Sequence, residues 1–173
     1  MANLRVGEYV HYSIHGVCKV VGTEIRSLGR EKKEYYLLSP VSDEKIQLFL
    51  PVDAEPEKVK LRNVMSADEI YSMVTGVSQV PQWITDSKTR REVCGKTLRS
   101  GNAEELVKLV RTIHAHEVEL PNGKELPMSD MELLRNAEKL LYNEFSFVLD
   151  INKDQVLPFI LGECTVPRKE PLN

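Results

Sequence analysis

The sequence predicts an α+β protein in which a small N-terminal β-barrel is followed by an all-α helical domain. In residues 1–65, apolar and polar positions alternate at a period of two, which is typical of half-buried strands; Ile46, Leu48 and Leu50 share one face. From Ser66 the apolar period changes to about 3.6, which is typical of helices. The change of period predicts where one kind of structure gives way to the other.

Four strands are predicted in the barrel. The first ends near Tyr12, and Gly16 after it permits the positive φ angle of a tight corner. The others are expected over residues 17–23, 34–39 and 45–51. The charged segment 26–33, with Gly29 as its turn former, is expected to be the exposed hairpin between the second and third strands.

The first helices are predicted from their end signals. Ser66 and Glu69 have the spacing of a capping box, so a short helix is expected to run to about Thr75, followed by a linker over residues 77–82. A second helix is expected over residues 84–99, with Gly101 beyond its end. Gly95 inside it costs about 1 kcal/mol relative to alanine.

Three more helical features follow along the chain. A third helix begins after Asn102, and a polar loop is expected over residues 117–127. The pattern from Ser129 to Glu132 predicts the cap of a long fourth helix, and Asn152 is expected to cap a last short helix ending near Pro158. The predicted divisions are a barrel domain (1–65), a short helix and linker (66–82), a helical domain (83–163) and a flexible tail (164–173).

Several short motifs resemble the CarD (CdnL-like) family of bacterial transcription regulators, over roughly residues 4 to 160. The matching motifs are Val6-Gly7, His15-Gly16-Val17, Glu34-Tyr35-Tyr36, Leu50-Pro51 and Leu61-Arg62-Asn63-Val64. The resemblance implies a Tudor-like (SH3-like) barrel that binds the RNA polymerase β subunit. It also implies a helical domain that touches promoter DNA and shifts the stability of the open complex.

The resemblance implies that an edge strand of the barrel extends a sheet of the polymerase by backbone pairing. Arg26 resembles an arginine that the family uses in this contact, whereas Phe49 stands where the family often has a basic residue. An alternative is that Phe49 packs on Tyr35 or Tyr36 as an ordinary strand residue. The candidate polymerase-binding residues are Arg26, Gln47, Phe49 and Pro51.

The candidate DNA-binding residues begin at the only tryptophan. Cations could neutralise phosphates while an aromatic ring wedges into a base step, which is the family's use of a tryptophan in this domain. On the family's spacing that position falls at Ser87, so Trp83 is either a displaced wedge or a core residue that anchors the helix start. The candidates are Trp83, Lys88, Arg90, Arg91, Lys96 and Arg99.

The charge distribution supports a local nucleic-acid surface. The formal net charge is −3, yet residues 84–100 contain five Lys and Arg against two Asp and Glu, while residues 101–173 contain eight against thirteen. A solvated helix face is the alternative explanation of the five cations. The rival function is a protein-binding adaptor that does not contact DNA.

Catalysis is not predicted. The histidines at 11, 15, 114 and 116 have no neighbours that suggest a metal site or a catalytic triad, and no glycine-rich phosphate loop is present. No cofactor is expected, and a small hydrolase is disfavoured. The three cysteines are expected to be reduced and structural. The sequence contains neither a membrane span nor a signal peptide, which predicts a cytoplasmic protein.

Overall fold

The computed structural model describes residues 3–28 and 31–166. The chain divides into two compact units, Met1–Val64 and Met65–Asn173. The first contains a five-stranded antiparallel sheet and the second is helical, which confirms the predicted α+β class. Within the described residues, no helix combines the length and apolar character that crossing a bilayer requires.

The first unit is a sheet with the strand order β4-β3-β2-β1-β5. A single 3₁₀ turn, Ser13–His15, joins the first two strands, and Gly16 after it has a φ of 72°, which confirms the predicted corner. A one-turn helix that the sequence analysis did not predict, α1 (Pro56–Val59), precedes the last strand. The strands are β1 (Tyr9–Tyr12), β2 (Val17–Leu28), β3 (Glu31–Pro40), β4 (Leu48–Pro51) and β5 (Leu61–Asn63).

One face of this sheet forms the core of the first unit. Alternate residues of each strand point to it because side chains in a strand alternate between faces. The opposite face, called the outer face below, therefore carries Tyr35 and Leu37 of β3. The buried core residues are Val10, Cys18, Val20, Tyr36, Leu38 and Leu50.

The hairpin between β2 and β3 differs from the prediction. The two strands pair as far as Leu28 and Glu31, so most of the expected loop 26–33 is strand, and Arg26 lies opposite Lys33. Charged residues are tolerated there because backbone hydrogen bonds, rather than apolar side chains, maintain a solvated two-stranded ribbon. The predicted turn at Gly29 lies outside the described residues.

The described part of the second unit consists of five helices packed around one core. Helix α2, the helix expected in segment 66–82, contributes Ile70, Tyr71 and Val74 to that core. At the C-terminal end of the described residues, Val166 is buried, and its carbonyl accepts a hydrogen bond from the Tyr71 hydroxyl at 3.0 Å. Residues 167–173 of the predicted tail lie outside the described residues. The helices are α2 (Ala67–Gly76), α3 (Ser87–Ser100), α4 (Ala103–Glu119), α5 (Met128–Leu149) and α6 (Lys153–Leu161).

Local end signals predicted most of these helices. The capping box of Ser66 with Glu69 is confirmed, Asn102 accepts from the Glu105 amide, and Asn152 caps α6. Gly101 ends α3 in the left-handed conformation, with a φ of 66°.

Three of the predicted helix ends are wrong. Helix α5 begins at Met128 with Pro127 at its N-cap, so the predicted box from Ser129 to Glu132 does not cap it. Pro158 lies inside α6. Helix α4 continues to Glu119, into the segment expected to be a polar loop. Helix α6 continues past Pro158 because Phe159 and Ile160 are buried in the core, and this packing outweighs a local stop signal.

Arg111 of α4 joins two other helices to its own. Its guanidinium donates to the carbonyls of Val74 and Val77 at the end of α2, and to that of Ile160 near the end of α6. The last carbonyls of a helix have no partner within the helix and carry partial negative charge. One cation therefore satisfies the ends of two helices and fixes α2 and α6 against α4.

Candidate functional site

The outer face of the first unit brings three of the four candidate polymerase-binding residues together. Arg26 starts on β2, and its guanidinium carbon lies 3.4 Å from the centre of the Phe49 ring on β4. Its Nε donates to Glu24 Oε1 at 3.3 Å. Pro51 lies on the same strand as Phe49, opposite Tyr35.

Phe49 also contacts Tyr35, the residue between it and Arg26 on the outer face. The two rings meet edge to face with centroids 6.5 Å apart, and Tyr35 is only 9% exposed although it is not on the core face. The packing role for Phe49 is therefore present together with its contact to Arg26. Gln47 is exposed and precedes β4, so the structure does not bring it into this cluster.

β4 lies at one edge of the described sheet. Its backbone pairs with β3 on one side, and no described strand pairs with the other. An edge strand of this kind is the template that strand addition requires. Pro51 lacks an amide hydrogen, which limits how far such pairing can extend.

Helix α3 presents four of the candidate DNA-binding cations to solvent. Lys88, Arg91 and Arg99 are spaced along one side of the helix, and no ion-pair partner is found for them in the described part of the chain. Lys96 is also exposed, with Glu92 at 3.5 Å. The Arg99 guanidinium lies where a Cβ atom on Gly95 would come within 3.2 Å of it, so the missing side chain of Gly95 leaves room for this arginine.

Arg90 is the exception among the candidate cations. Arg90 is only 6% exposed, and its side chain forms a bidentate pair with Asp130, at 3.0 and 2.7 Å. Its Nη1 donates to the carbonyls of Ile84 and Thr85. The burial of this guanidinium argues against the predicted phosphate contact, and we assign Arg90 a structural role instead.

Trp83 is half-buried against the core of the second unit. Its ring stacks on His116 with centroids 3.8 Å apart and planes 9° apart, and the Arg90 guanidinium carbon lies 4.4 Å from its centre. These contacts favour the core-anchor alternative, because a wedge would have to leave them. Trp83 and Arg90 together line a cavity of about 190 Å³ whose walls also include Val93, Cys94 and Ile113.

Family models match most of the chain. The CarD-like/TRCF RID domain matches residues 4–65, and the CarD C-terminal domain matches residues 81–160. The chain belongs to the CarD family. This is a family of non-catalytic transcription factors, and its RID domain interacts with RNA polymerase. No curated protein matches the chain.

The sequence analysis of this CarD protein missed two residues of the helical unit that contact candidate DNA-binding residues. Asp130 pairs with Arg90, and His116 stacks on Trp83. The sequence does contain a signal for a partner of Arg90. Arg90 shares one helix face with Cys94 and Leu98, and a charge on an apolar face requires a buried partner of opposite charge. The sequence offers no comparable signal for His116.

One histidine of α4 lies beside two acidic side chains. His114 lies between Glu138 and Glu117, at 3.2 and 3.3 Å, and the hydrogen bond that its ring donates to the Glu138 carboxylate raises its pKa above the ordinary value of 6.5. Burial raises the pKa of the Cys18 thiol to about 11, which makes it unreactive. Within residues 3–28 and 31–166, no cluster of three or more metal-ligating side chains occurs.

We expect Asp130→Ala to lower the free energy of unfolding by about 3 to 5 kcal/mol, because it leaves the Arg90 charge buried without its partner. Chemical denaturation followed by circular dichroism measures this. The control is Asp154→Ala, which removes an exposed acidic residue of α6 and should change stability by less than about 1 kcal/mol. Equal stabilities of the two variants would contradict the structural role of the pair.

The stability contributed by His114 should decrease as the pH rises. A group whose folded pKa is raised stabilises the fold fully below its unfolded pKa, here about 6.5, and loses this contribution as the pH passes its folded pKa. The unfolding free energy of the wild type minus that of His114→Gln should thus be largest below pH 6.5 and fall above it. A difference that does not vary with pH between 5.5 and 8.5 would exclude this coupling.

Proposed function

We propose that this chain regulates transcription initiation by binding the RNA polymerase β subunit and promoter DNA at once, and so shifts the stability of the open complex. The observation that carries the proposal is the match to both CarD domains in one chain, in order. The proposed function implies a cytoplasmic location, because the polymerase works there.

The polymerase contact is assigned to the β4 edge and the outer-face cluster beside it. The β4 edge, unpaired among the described strands, supplies backbone donors and acceptors in a row, and Pro51 adds partly buried apolar surface next to it. Arg26 adds an exposed charge at the same edge, where charge pairs contribute to the selection of a partner.

The DNA contact is assigned to the exposed cations of α3. Lys88, Arg91 and Arg99 can approach phosphates from one side of the helix, with Lys96 nearby. Phosphate contacts position a protein without reading sequence, so this surface supports binding to many promoters. Trp83 is proposed to anchor the start of α3 and thereby to fix the orientation of these cations.

Regulation requires no covalent step by this chain. A protein that contacts the closed and open promoter complexes unequally shifts their equilibrium by the difference in its binding free energy. The surfaces described above supply contacts of this kind. The sign of the shift depends on whether the phosphates of the closed or of the open complex make the stronger contacts with α3.

Arg26→Glu in the full chain should weaken binding to the isolated β subunit about tenfold or more, because it reverses a charge at the proposed edge. Titration calorimetry gives the dissociation constants. The matched control Lys58→Glu makes the same charge change on α1, where Lys58 is exposed and pairs with Glu55. Equal affinities of both variants and the wild type would remove Arg26 from the interface.

The double variant Lys88→Ala with Arg91→Ala should weaken binding to promoter duplexes of any sequence. It should also reduce the slope of log affinity against log salt by about two, since each lost phosphate contact removes roughly one released counterion. The control, Arg135→Ala with Lys139→Ala, removes two exposed charges from α5 instead. Polymerase binding without any salt-dependent DNA affinity in the wild type would favour the adaptor function.

A further inference from the structure

The Arg26 side chain spans two strands. Arg26 lies on β2 opposite Lys33 of β3, yet its guanidinium lies over the ring of Phe49 on β4, the next strand along. The sheet order places β3 between the two residues. The positive charge of Arg26, a residue of an interior strand, therefore lies at the edge strand β4.

We propose that Phe49 is a positioning residue for Arg26, holding the guanidinium at the β4 edge in the orientation that binds the polymerase. This rests on the proposed function for the identity of the partner. It differs from a direct apolar contact of Phe49 with that partner, because here the effect of the ring passes through Arg26.

The geometry leaves the donors of Arg26 available. Stacking on an aromatic ring occupies a face of the planar guanidinium, whereas its N–H groups point outward in the plane. Nε is held by Glu24 at 3.3 Å, and within the described residues the two Nη atoms have no acceptor. Two parallel donors in this arrangement fit a carboxylate in bidentate fashion.

Pre-positioning matters because arginine is long and mobile. Ordering a side chain with many rotamers on binding costs about 0.5 to 1.5 kcal/mol, and holding it in place beforehand removes part of that cost. Phe49 and Glu24 restrain the Arg26 guanidinium from two sides, through its face and through Nε. The outer face also carries Lys33 opposite Arg26, and together the two cations outnumber Glu24, which favours an acidic side chain on the partner strand.

The test is a double-mutant cycle in the full chain with the variants Arg26→Met, Phe49→Leu and their combination, each titrated against the isolated β subunit. Phe49→Leu should lower the affinity about fivefold, and Phe49→Trp should stay within about twofold of the wild type, since tryptophan stacks on cations best. In the Arg26→Met background, Phe49→Leu should have almost no further effect. Melting temperatures show whether each variant remains folded.

A second measurement needs no polymerase. In the free chain, stacking should shift the Arg26 side-chain resonances upfield through the ring current of Phe49, and Phe49→Leu should abolish the shift. Additive losses of affinity in the cycle would overturn the proposal, because Phe49 would then act by its own contact. So would the absence of the ring-current shift. Failure of the wild type to bind the β subunit would instead reject the proposed function, while the spectra still decide the positioning.

Discussion

The buried pair of Arg90 with Asp130 determines how the helical unit exposes its basic helix. Removing two ions from water costs several kcal/mol each, and only excellent geometry offsets this cost. Here the carboxylate is bound in bidentate fashion and two carbonyls take further donors of the same guanidinium. Because Arg90 points inward, the helical period turns Lys88, Arg91 and Arg99 toward solvent. The same guanidinium contacts Trp83, so one ion pair fixes both the helix and the segment before it.

The sequence predicted those parts of the fold that depend on neighbours in the chain. The caps at Ser66, Asn102 and Asn152 need only a side chain and amides two or three residues away, so their patterns are sufficient. Pro127 and Pro158 show the limit of such signals. Proline is compatible with a helix start, and at Pro158 the packed α6 outweighs the loss of one backbone bond.

The site was predicted less completely because its contacts cross the chain. Arg90 and Arg91 are adjacent and have the same charge. The helical period places Arg90 on the apolar face, but the partner that pairs with it, Asp130, lies forty residues later in the chain. Phe49 presents the same difficulty. Its pattern allowed either packing on a neighbouring tyrosine or a partner contact, and the ring in fact touches both Tyr35 and Arg26. Such a double role follows from strand register, which a single sequence does not specify in advance.

Because the two units belong to one chain, the proposed function requires only a low affinity of the second unit for DNA. Only Val64, Met65 and Ser66 separate the end of β5 from the start of α2. The Met65 amide donates a hydrogen bond to Glu144 of the helical unit at 3.0 Å. Once the first unit is bound to a polymerase, DNA contact by the second becomes an intramolecular event at high effective concentration. A few exposed cations then suffice, even on a chain with a net charge of −3. On the proposed function, a weak intrinsic affinity for DNA would limit binding where no polymerase is present, and the chain would reach promoters through its protein partner.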